Sequence, residues 1–468
     1  MVFADLLFLY LFLPFLLAAY YVARAKLRNA VLLVASLLFY AWGEPLWVLL
    51  LVGSAAVDYH CGRYIGARTA PAARRWGLVV SLVVNLGLLA VFKYAGFLVG
   101  NLNALTGVGL PVPAIVMPIG ISFYTFQKIS YTVDVYRGRA PVQESFPDFL
   151  LFVALFPQLI AGPIVRYTEV AGELAARSTL PSDLEQGLRR FMVGLFKKVA
   201  VANFAGHLAA VWLHRPPQFQ TVSGAWLGAV MFTVQIYYDF SGYSDMAIGL
   251  GRMFGFHFPE NFDHPYVSRS VTEFWRRWHM TLGRFFRDYL YIPLGGNRRR
   301  VYLNLLVVWF LTGLWHGASW NFVIWGLYYL VFLVLEKAFL RRLFERLPAV
   351  FSHAYLLLVV IVGWVFFYFT DLSQAISHLR LMFFLGDVPA IDFPVRIALA
   401  NNLYWLVLAL AFCAPLAAFL SRGLRAVEAR LGGGVGFAVR LTASLAGLAI
   451  STMLLVGQSY NPFLYYRF

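Results

Sequence analysis

Long apolar runs recur along the whole chain, separated by short polar stretches. A helix that crosses a membrane needs about 20 mostly apolar residues, and several runs reach that length. Other runs are shorter or contain proline and glycine, which favours broken or re-entrant segments. The pattern predicts an all-α polytopic membrane protein with about eleven to thirteen membrane helices and re-entrant segments. These lie near 3–22, 30–42, 45–58, 76–98, 112–135, 148–165, 187–213, 223–250, 301–315, 318–336, 350–371, 401–421 and 434–457.

The polar stretches are too short for a soluble domain. We therefore expect one integral-membrane domain over 1–468, with the motif-bearing core at about 115–340. Basic residues cluster in alternate polar stretches, which the positive-inside rule places in the cytoplasm. The N-terminus and the stretches 99–111 and 372–400 then lie outside. The clusters are Arg24, Lys26 and Arg28; Arg63, Arg68, Arg74 and Arg75; Arg137 and Arg139; Arg298 to Arg300; Lys337, Arg341, Arg342 and Arg346; and Arg422, Arg425 and Arg430.

Composition supports this class. Apolar types make up 61% of the 468 residues and charged types only 13%, whereas soluble domains are nearer half and a quarter. The net charge of +16 is accounted for by the scattered cytoplasmic loops, so we predict no nucleic-acid partner. The two cysteines, Cys61 and Cys413, are too few for a disulfide scaffold or a Cys-rich metal site.

The segment 272–290 has the spacing of an amphipathic helix, with Thr272 as its expected N-cap. Trp275, Trp278, Leu282 and Phe286 fall on one stripe, and arginines lie off it. Such a basic and aromatic helix suits a membrane interface. His279 lies on the apolar stripe, and two readings stay open: a packed structural histidine, or a functional imidazole at a cavity.

A second histidine, His316, lies in an apolar stretch between two basic clusters. One straight helix over 301–336 would be about 54 Å long, too long for a hydrocarbon core of ~30 Å. We therefore predict a helical hairpin that turns near 315–319 and holds His316 within the membrane. Ionisable residues there usually face a cavity, although a structural histidine at a helix break stays open. No third ligand accompanies the two histidines at a suggestive spacing, so we predict no metal site.

The apolar run at 235–245 contains Asp239 and Asp245, which would be costly in lipid. They either line a cavity or form structural ion pairs, for which Arg276 and Arg277 are the expected partners.

Four segments together resemble the membrane-bound O-acyltransferase family, in its bacterial branch that acetylates alginate. They are 238–246 (YDFSGYSDM), 274–279 (FWRRWH), 291–297 (YIPLGGN) and 313–317 (GLWHG). The segments 156–164 (FPQLIAGPI) and 461–468 (NPFLYYRF) are also similar to that branch. The resemblance covers most of the chain.

The resemblance implies a ring of helices around a central tunnel, with His316 as the catalytic histidine and His279 as a second active-site residue. It implies an acetyl thioester donor, such as acetyl-CoA, that enters from the cytoplasm, and no bound cofactor. Candidate substrate or tunnel-lining residues are Asp239, Ser241, Tyr243, Asp245, Arg276, Arg277, Trp315 and Asn321.

The same resemblance implies a multi-pass enzyme of the bacterial inner membrane, in contact with membrane lipid. It also implies a periplasmic or extracellular acetyltransferase partner and a polysaccharide acceptor. Alginate is the acceptor we favour. Peptidoglycan or cellulose acetylation, or D-alanyl transfer, are alternatives on the same fold. A transporter or a scaffold of a polysaccharide-export complex is the alternative from another class.

Overall fold

A computed structural model describes residues 1–385, 387–416, 422–423, 433–457 and 463–464. These residues form helices and connecting segments, and no strand occurs among them. The α-helices are α1 Leu13–Val22, α2 Arg28–Gly43, α3 Trp47–Ala67, α4 Pro71–Leu89, α5 Ala95–Thr106, α6 Ile121–Tyr136, α7 Phe146–Ala154, α8 Phe156–Leu159, α9 Tyr167–Ala175, α10 Pro181–Phe196, α11 Asn203–Leu213, α12 Val222–Met253, α13 Val271–Arg277, α14 Met280–Phe286, α15 Val301–His316, α16 Trp320–Leu335, α17 Arg341–Phe344, α18 Ala349–Tyr368, α19 Leu372–Met382, α20 Phe393–Phe412 and α21 Gly433–Gly457.

Short helical turns of other kinds join several of these helices. The π-helical turns are Phe8–Phe12, Ala90–Tyr94, Lys197–Ala202, Arg287–Tyr291 and Glu336–Leu340, and the 3-10 turns are Ala25–Leu27, Pro217–Phe219 and Pro265–Val267. Arg425, Arg430 and most of the motif at 461–468 lie outside the described residues.

Six helical segments of the described chain are long and apolar enough to cross a membrane: Ala25–Gly43, Pro71–Thr106, Trp320–Phe344, Ala349–Tyr368, Phe393–Phe412 and Gly436–Gly457. Two shorter apolar helices cover Phe8–Val22 and Val301–His316. The predicted all-helical, multi-pass class is confirmed. The number of crossings and the central tunnel stay predictions.

The chain divides into two compact units. The first contains Met1–Phe191, Tyr243–Glu260 and Arg284–Pro293, and the second contains Met192–Gly242, Asn261–Gly283 and Leu294–Phe468. Each is described by itself below.

In the first unit, helices α3, α4 and α6 pack around a buried polar group. The carboxylate of Asp58 accepts hydrogen bonds from Ser81 (2.5 Å) and from the amide of Asn85 (2.8 and 2.9 Å). The ammonium of Lys128 lies 3.6 Å from Asp58, and both side chains are fully buried. A buried charge is tolerated when it is paired and hydrogen-bonded, so these partners hold the three helices in one register.

In the second unit, α15 and α16 form an antiparallel hairpin joined by residues 317–319. A Cβ on Gly313 would overlap the carbonyl of Phe322, and one on Gly326 would overlap the carbonyl of Trp309. The two backbones therefore approach as closely as glycine alone permits. This hairpin turns where the sequence predicts it, and His316 is the last residue of its first arm.

The predicted continuous helix over 272–290 is wrong. Ser270, not Thr272, caps α13, because its hydroxyl accepts the Glu273 N–H at 3.0 Å. The helix ends at Arg277 and resumes at Met280, since the N–H of Met280 bonds to the carbonyl of Asn261 (2.9 Å) instead of the preceding turn. A tertiary hydrogen bond thus replaces a helical one.

Candidate active site

His279 and His316 both lie close to one indole ring. The ring of Trp315 is 5.9 Å from that of His279 and 4.8 Å from that of His316, measured between centroids. The two imidazoles are thus no farther apart than the sum of these distances. All three side chains are buried in the second unit.

Asn261 fixes the orientation of His279. Its side-chain oxygen lies 3.1 Å from Nδ1 of His279 and accepts hydrogen bonds from the N–H (3.3 Å) and hydroxyl (2.9 Å) of Thr281. The Thr281 N–H can only donate, which identifies the Asn261 atom as the oxygen. Nδ1 of His279 must then carry the hydrogen, and Nε2 carries the lone pair.

The backbone and the protonation state of His279 are both unusual. Its φ of +45° is a left-handed conformation that a non-glycine residue adopts at a cost of roughly 1–3 kcal/mol. His279 lies outside the six candidate spans, and burial lowers its pKa to about 3. The imidazole is therefore neutral at physiological pH, and its Nε2 is a hydrogen-bond acceptor.

Aromatic rings enclose His316. Trp325 lies edge-on at 4.9 Å and Phe367 at 5.3 Å between ring centroids. Trp364 stacks on Trp325 at 6.1 Å and packs 5.5 Å from Phe367. Such walls exclude water from the imidazole and strengthen any polar interaction it makes with a substrate.

Asp239 belongs to a buried ion pair of the second unit. Its carboxylate lies 2.7 Å from the ammonium of Lys198 and accepts the N–H of Leu464 at 3.0 Å. Ser241 is buried two residues further along α12. The expected pairing of Asp239 with Arg276 or Arg277 is therefore wrong.

Tyr243 and Asp245 belong to the first unit. Tyr243 stacks on Phe3 with centroids 4.7 Å apart. Asp245 pairs with Arg190 at 2.6 Å, and Arg190 also binds Glu260. The expected arginine partners of Asp245 are thus also wrong, because a closer cation on α10 neutralises it.

The other predicted residues hold the fold around the histidines. Arg277 pairs with Asp263 (3.0 Å) and Glu273 (3.1 Å). Arg276 is exposed. The amide of Asn321 donates to the carbonyl of Phe369 at 2.8 Å, which ties the start of α16 to the end of α18. Among the predicted residues, Trp315 contacts both histidines.

Sequence reasoning missed Asn261 and Glu336. Asn261 lies in the connection before α13, 18 positions from its histidine partner, and no helical spacing links the two. In the sequence, Glu336 is a single acidic residue next to the basic cluster at 337–346, and nothing there indicates a specific partner. Glu336 begins a π-helical turn, a feature frequent at functional sites, but that turn is visible only in the structure.

Glu336 caps the helix that leads to His279. Its buried carboxylate accepts the N–H of Val271 (2.5 Å), the N–H of Thr272 (2.9 Å) and the Thr272 hydroxyl (2.7 Å). A carboxylate at the first turn satisfies N–H groups that the helix itself leaves unpaired. It thereby positions α13 against the hairpin.

We expect Glu336→Ala to lower the free energy of unfolding by roughly 3 kcal/mol, because it leaves the buried N–H of Val271 and the part-buried N–H of Thr272 unpaired. Thermal melting of the purified protein in detergent measures the change. Glu345→Ala is the matched control, since Glu345 is exposed and pairs only with Arg341 at 3.2 Å; its effect should stay below about 0.5 kcal/mol. Equal melting temperatures for the two variants would contradict the capping role.

Within the described part of the chain, no group of three or more His, Cys, Asp or Glu side chains could hold a metal ion.

Comparison with known proteins identifies the class. Residues 125–377 match the family model described as "MBOAT, membrane-bound O-acyltransferase family". "Probable alginate O-acetylase AlgI" of Pseudomonas putida is 41% identical over the full length of both chains. The Pseudomonas aeruginosa protein of that name is 45% identical over 82% of this chain and 75% of its own. "Peptidoglycan O-acetyltransferase" of Helicobacter pylori is 35% identical over 82% of this chain and 80% of its own.

The chain therefore belongs to the membrane-bound O-acyltransferase family. It is a multi-pass membrane enzyme that transfers acyl groups to oxygen. Both predictions, the family and the enzyme class, are confirmed.

Proposed function

We propose that this protein is an O-acetyltransferase that passes an acetyl group from a cytoplasmic thioester across the membrane, for the O-acetylation of alginate. The observation that carries the proposal is the pair of buried imidazoles meeting at Trp315. Relatives 41–45% identical are named for alginate acetylation, which supports the acceptor.

His316 acts as the general base. It takes the proton of the acceptor hydroxyl while the oxygen attacks the thioester carbonyl, and the C–S bond breaks as the thiolate leaves. Neutral His279 accepts a hydrogen bond at Nε2 and orients the acceptor. Its only N–H is directed to Asn261, so this assignment is favoured over stabilisation of the oxyanion. Trp315 keeps the two rings in place.

The donor is acetyl-CoA or another acetyl thioester. The protein lies in the bacterial inner membrane with its N-terminus outside, an orientation that the positive-inside rule supports because it assigns the basic loops to the cytoplasm. A polymer acceptor lies beyond the membrane. A periplasmic or extracellular acetyltransferase partner therefore completes the transfer.

Peptidoglycan is the second candidate acceptor, since the Helicobacter pylori relative is named for it. The test is expression of this chain, with its candidate partner, in alginate-producing cells that lack their own acetylation system. We expect acetyl esters in the NMR spectrum of the alginate. Esters found only on the peptidoglycan would overturn the alginate assignment and favour the second candidate. Inverted membrane vesicles given labelled acetyl-CoA test the donor, and an unlabelled polymer would contradict it.

Asn261 supplies a pH-dependent prediction. Asn261→Asp keeps the acceptor for Nδ1 but adds a negative charge, which raises the pKa of His279 from about 3. Below the new pKa the imidazole is protonated and Nε2 no longer accepts. A charge in contact shifts a pKa by about 1–3 units, so acetylation by Asn261→Asp vesicles should decrease relative to wild type as the pH falls from about 7 to about 5. Identical pH profiles would contradict the contact. Asp263→Asn, which alters an exposed carboxylate nearby, is the control.

A further inference from the structure

The first unit has an apolar groove of about 740 Å³ between α1 and α2, within the roughly 300–1,000 Å³ of ligand sites. Its lining includes Ala19, Ala30 and Ala35, whose small side chains leave the space. Phe15 (69% exposed) and Leu38 (62%) stand at its open edges. An open apolar space of this size can accommodate a hydrocarbon chain.

The groove runs along a helix that can cross the membrane. Its lining extends from Leu27, in the turn before α2, to Trp42 near the end of α2, which is about 22 Å of helix against a hydrocarbon core of ~30 Å. The groove is thus parallel to the lipid chains, and Trp42 stands at the end where an aromatic side chain suits the interface.

Positive charge is concentrated at the other end of the groove. Arg24 and Lys26 lie in the connection between α1 and α2, both are exposed, and neither forms an ion pair with a described residue. Arg28, by contrast, lies over Tyr20 (5.1 Å) and donates to Thr179. Among the described residues that line the Trp42 end, Met1 supplies a cation through its amino group, and Asp5 acts on it with the opposite charge. The charge asymmetry therefore favours an anion at the Arg24 end.

We propose that this groove binds an anionic phospholipid, with its phosphate against Arg24 and Lys26 and an acyl chain along α2. An apolar helix, from a partner or a second copy, would cover the walls but would by itself supply no anion for the two cations. A phospholipid satisfies both features at once, because its charge and its hydrocarbon are joined at the membrane interface. The inference does not depend on the acceptor or the donor of the acetyl group.

Native mass spectrometry of the purified full-length protein in detergent tests the site. Phosphatidylglycerol and phosphatidylcholine with the same acyl chains are added at equal concentrations. We expect wild type to retain phosphatidylglycerol on the order of tenfold more strongly, since each cation near a membrane surface attracts an anionic headgroup. In Arg24→Gln/Lys26→Gln the two lipids should be retained about equally.

The control Arg341→Gln/Arg342→Gln removes two exposed arginines elsewhere in the chain and should keep the preference for phosphatidylglycerol. Ala30→Trp fills the groove and should reduce retention of both lipids. If Ala30→Trp does not fold, Val34→Trp is used in its place. An unchanged preference in Arg24→Gln/Lys26→Gln overturns the site, as does the lack of any preference in wild type. If wild type is a dimer and Ala30→Trp is a monomer, the lipid site is also overturned, because a second copy of the chain then occupies the groove.

Discussion

Replacing His316 with glutamine is expected to reduce acetyl transfer at least about a hundredfold, because a positioned general base contributes roughly 10²–10⁴ to a rate. Glutamine has a similar volume and still forms hydrogen bonds, but it cannot take up the proton of the acceptor hydroxyl. The aromatic enclosure by Trp325 and Phe367 leaves little room for a water molecule to replace the imidazole. Acetyl esters on the polymer, measured in cells at matched membrane levels of protein, report the loss.

His378→Gln is the matched control for His316→Gln. His378 is also a buried histidine, and its Nε2 lies 3.2 Å from the carbonyl of Ala225. A glutamine amide can make that same contact, so acetylation should stay within about twofold of wild type. Size-exclusion profiles in detergent establish that both variants fold.

The outcomes separate the competing classes of protein. Retained acetylation in a folded His316→Gln variant would contradict the catalytic role of His316 and support a scaffold role for the protein. Polymer export that depends on the chain, without acetyl transfer by wild type, would support a transporter. His279→Gln should also reduce transfer, but its effect includes the loss of the contact from Nδ1 to Asn261.

Gly326→Ala is expected to cause the largest loss of stability, about 3 kcal/mol or more. The added Cβ would overlap the backbone carbonyl of Trp309 on the facing arm of the hairpin. Backbone cannot rotate away as a side chain can, so α15 and α16 must separate. That separation moves Trp325, and with it the wall of His316. The midpoint of thermal unfolding in detergent measures the change.

Gly53→Ala is the control for this substitution. Gly53 is also inside a helix, α3, but a Cβ there would meet no atom within 4 Å. Alanine gains up to about 1 kcal/mol of helix propensity over glycine at both positions, so the difference between the variants isolates the contact. A melting temperature for Gly326→Ala at or above that of Gly53→Ala would refute the close packing of the hairpin.

The sequence was enough to predict the all-helical membrane class, the hairpin and the family. The hairpin followed from comparing the length of the apolar run with the thickness of the membrane. The run between the two basic clusters is too long for one crossing and suits two arms. His279 and His316 were singled out because imidazoles in apolar segments are rare and costly. Their roles in the reaction stay predictions.

What the sequence by itself determined is which segments are apolar enough for the membrane, since lipid responds to the composition and length of a single segment. Only the tertiary structure decided which buried polar groups form hydrogen bonds or ion pairs with one another. Asn261 hydrogen-bonds to His279, Lys198 forms an ion pair with Asp239, and Glu336 accepts hydrogen bonds from the start of α13. In each case the two partners are far apart in the sequence. A buried charge or N–H needs one partner of opposite character within about 3 Å, and any nearby helix can supply it. Local spacing therefore identified the residues that need partners, and helix packing chose the partners.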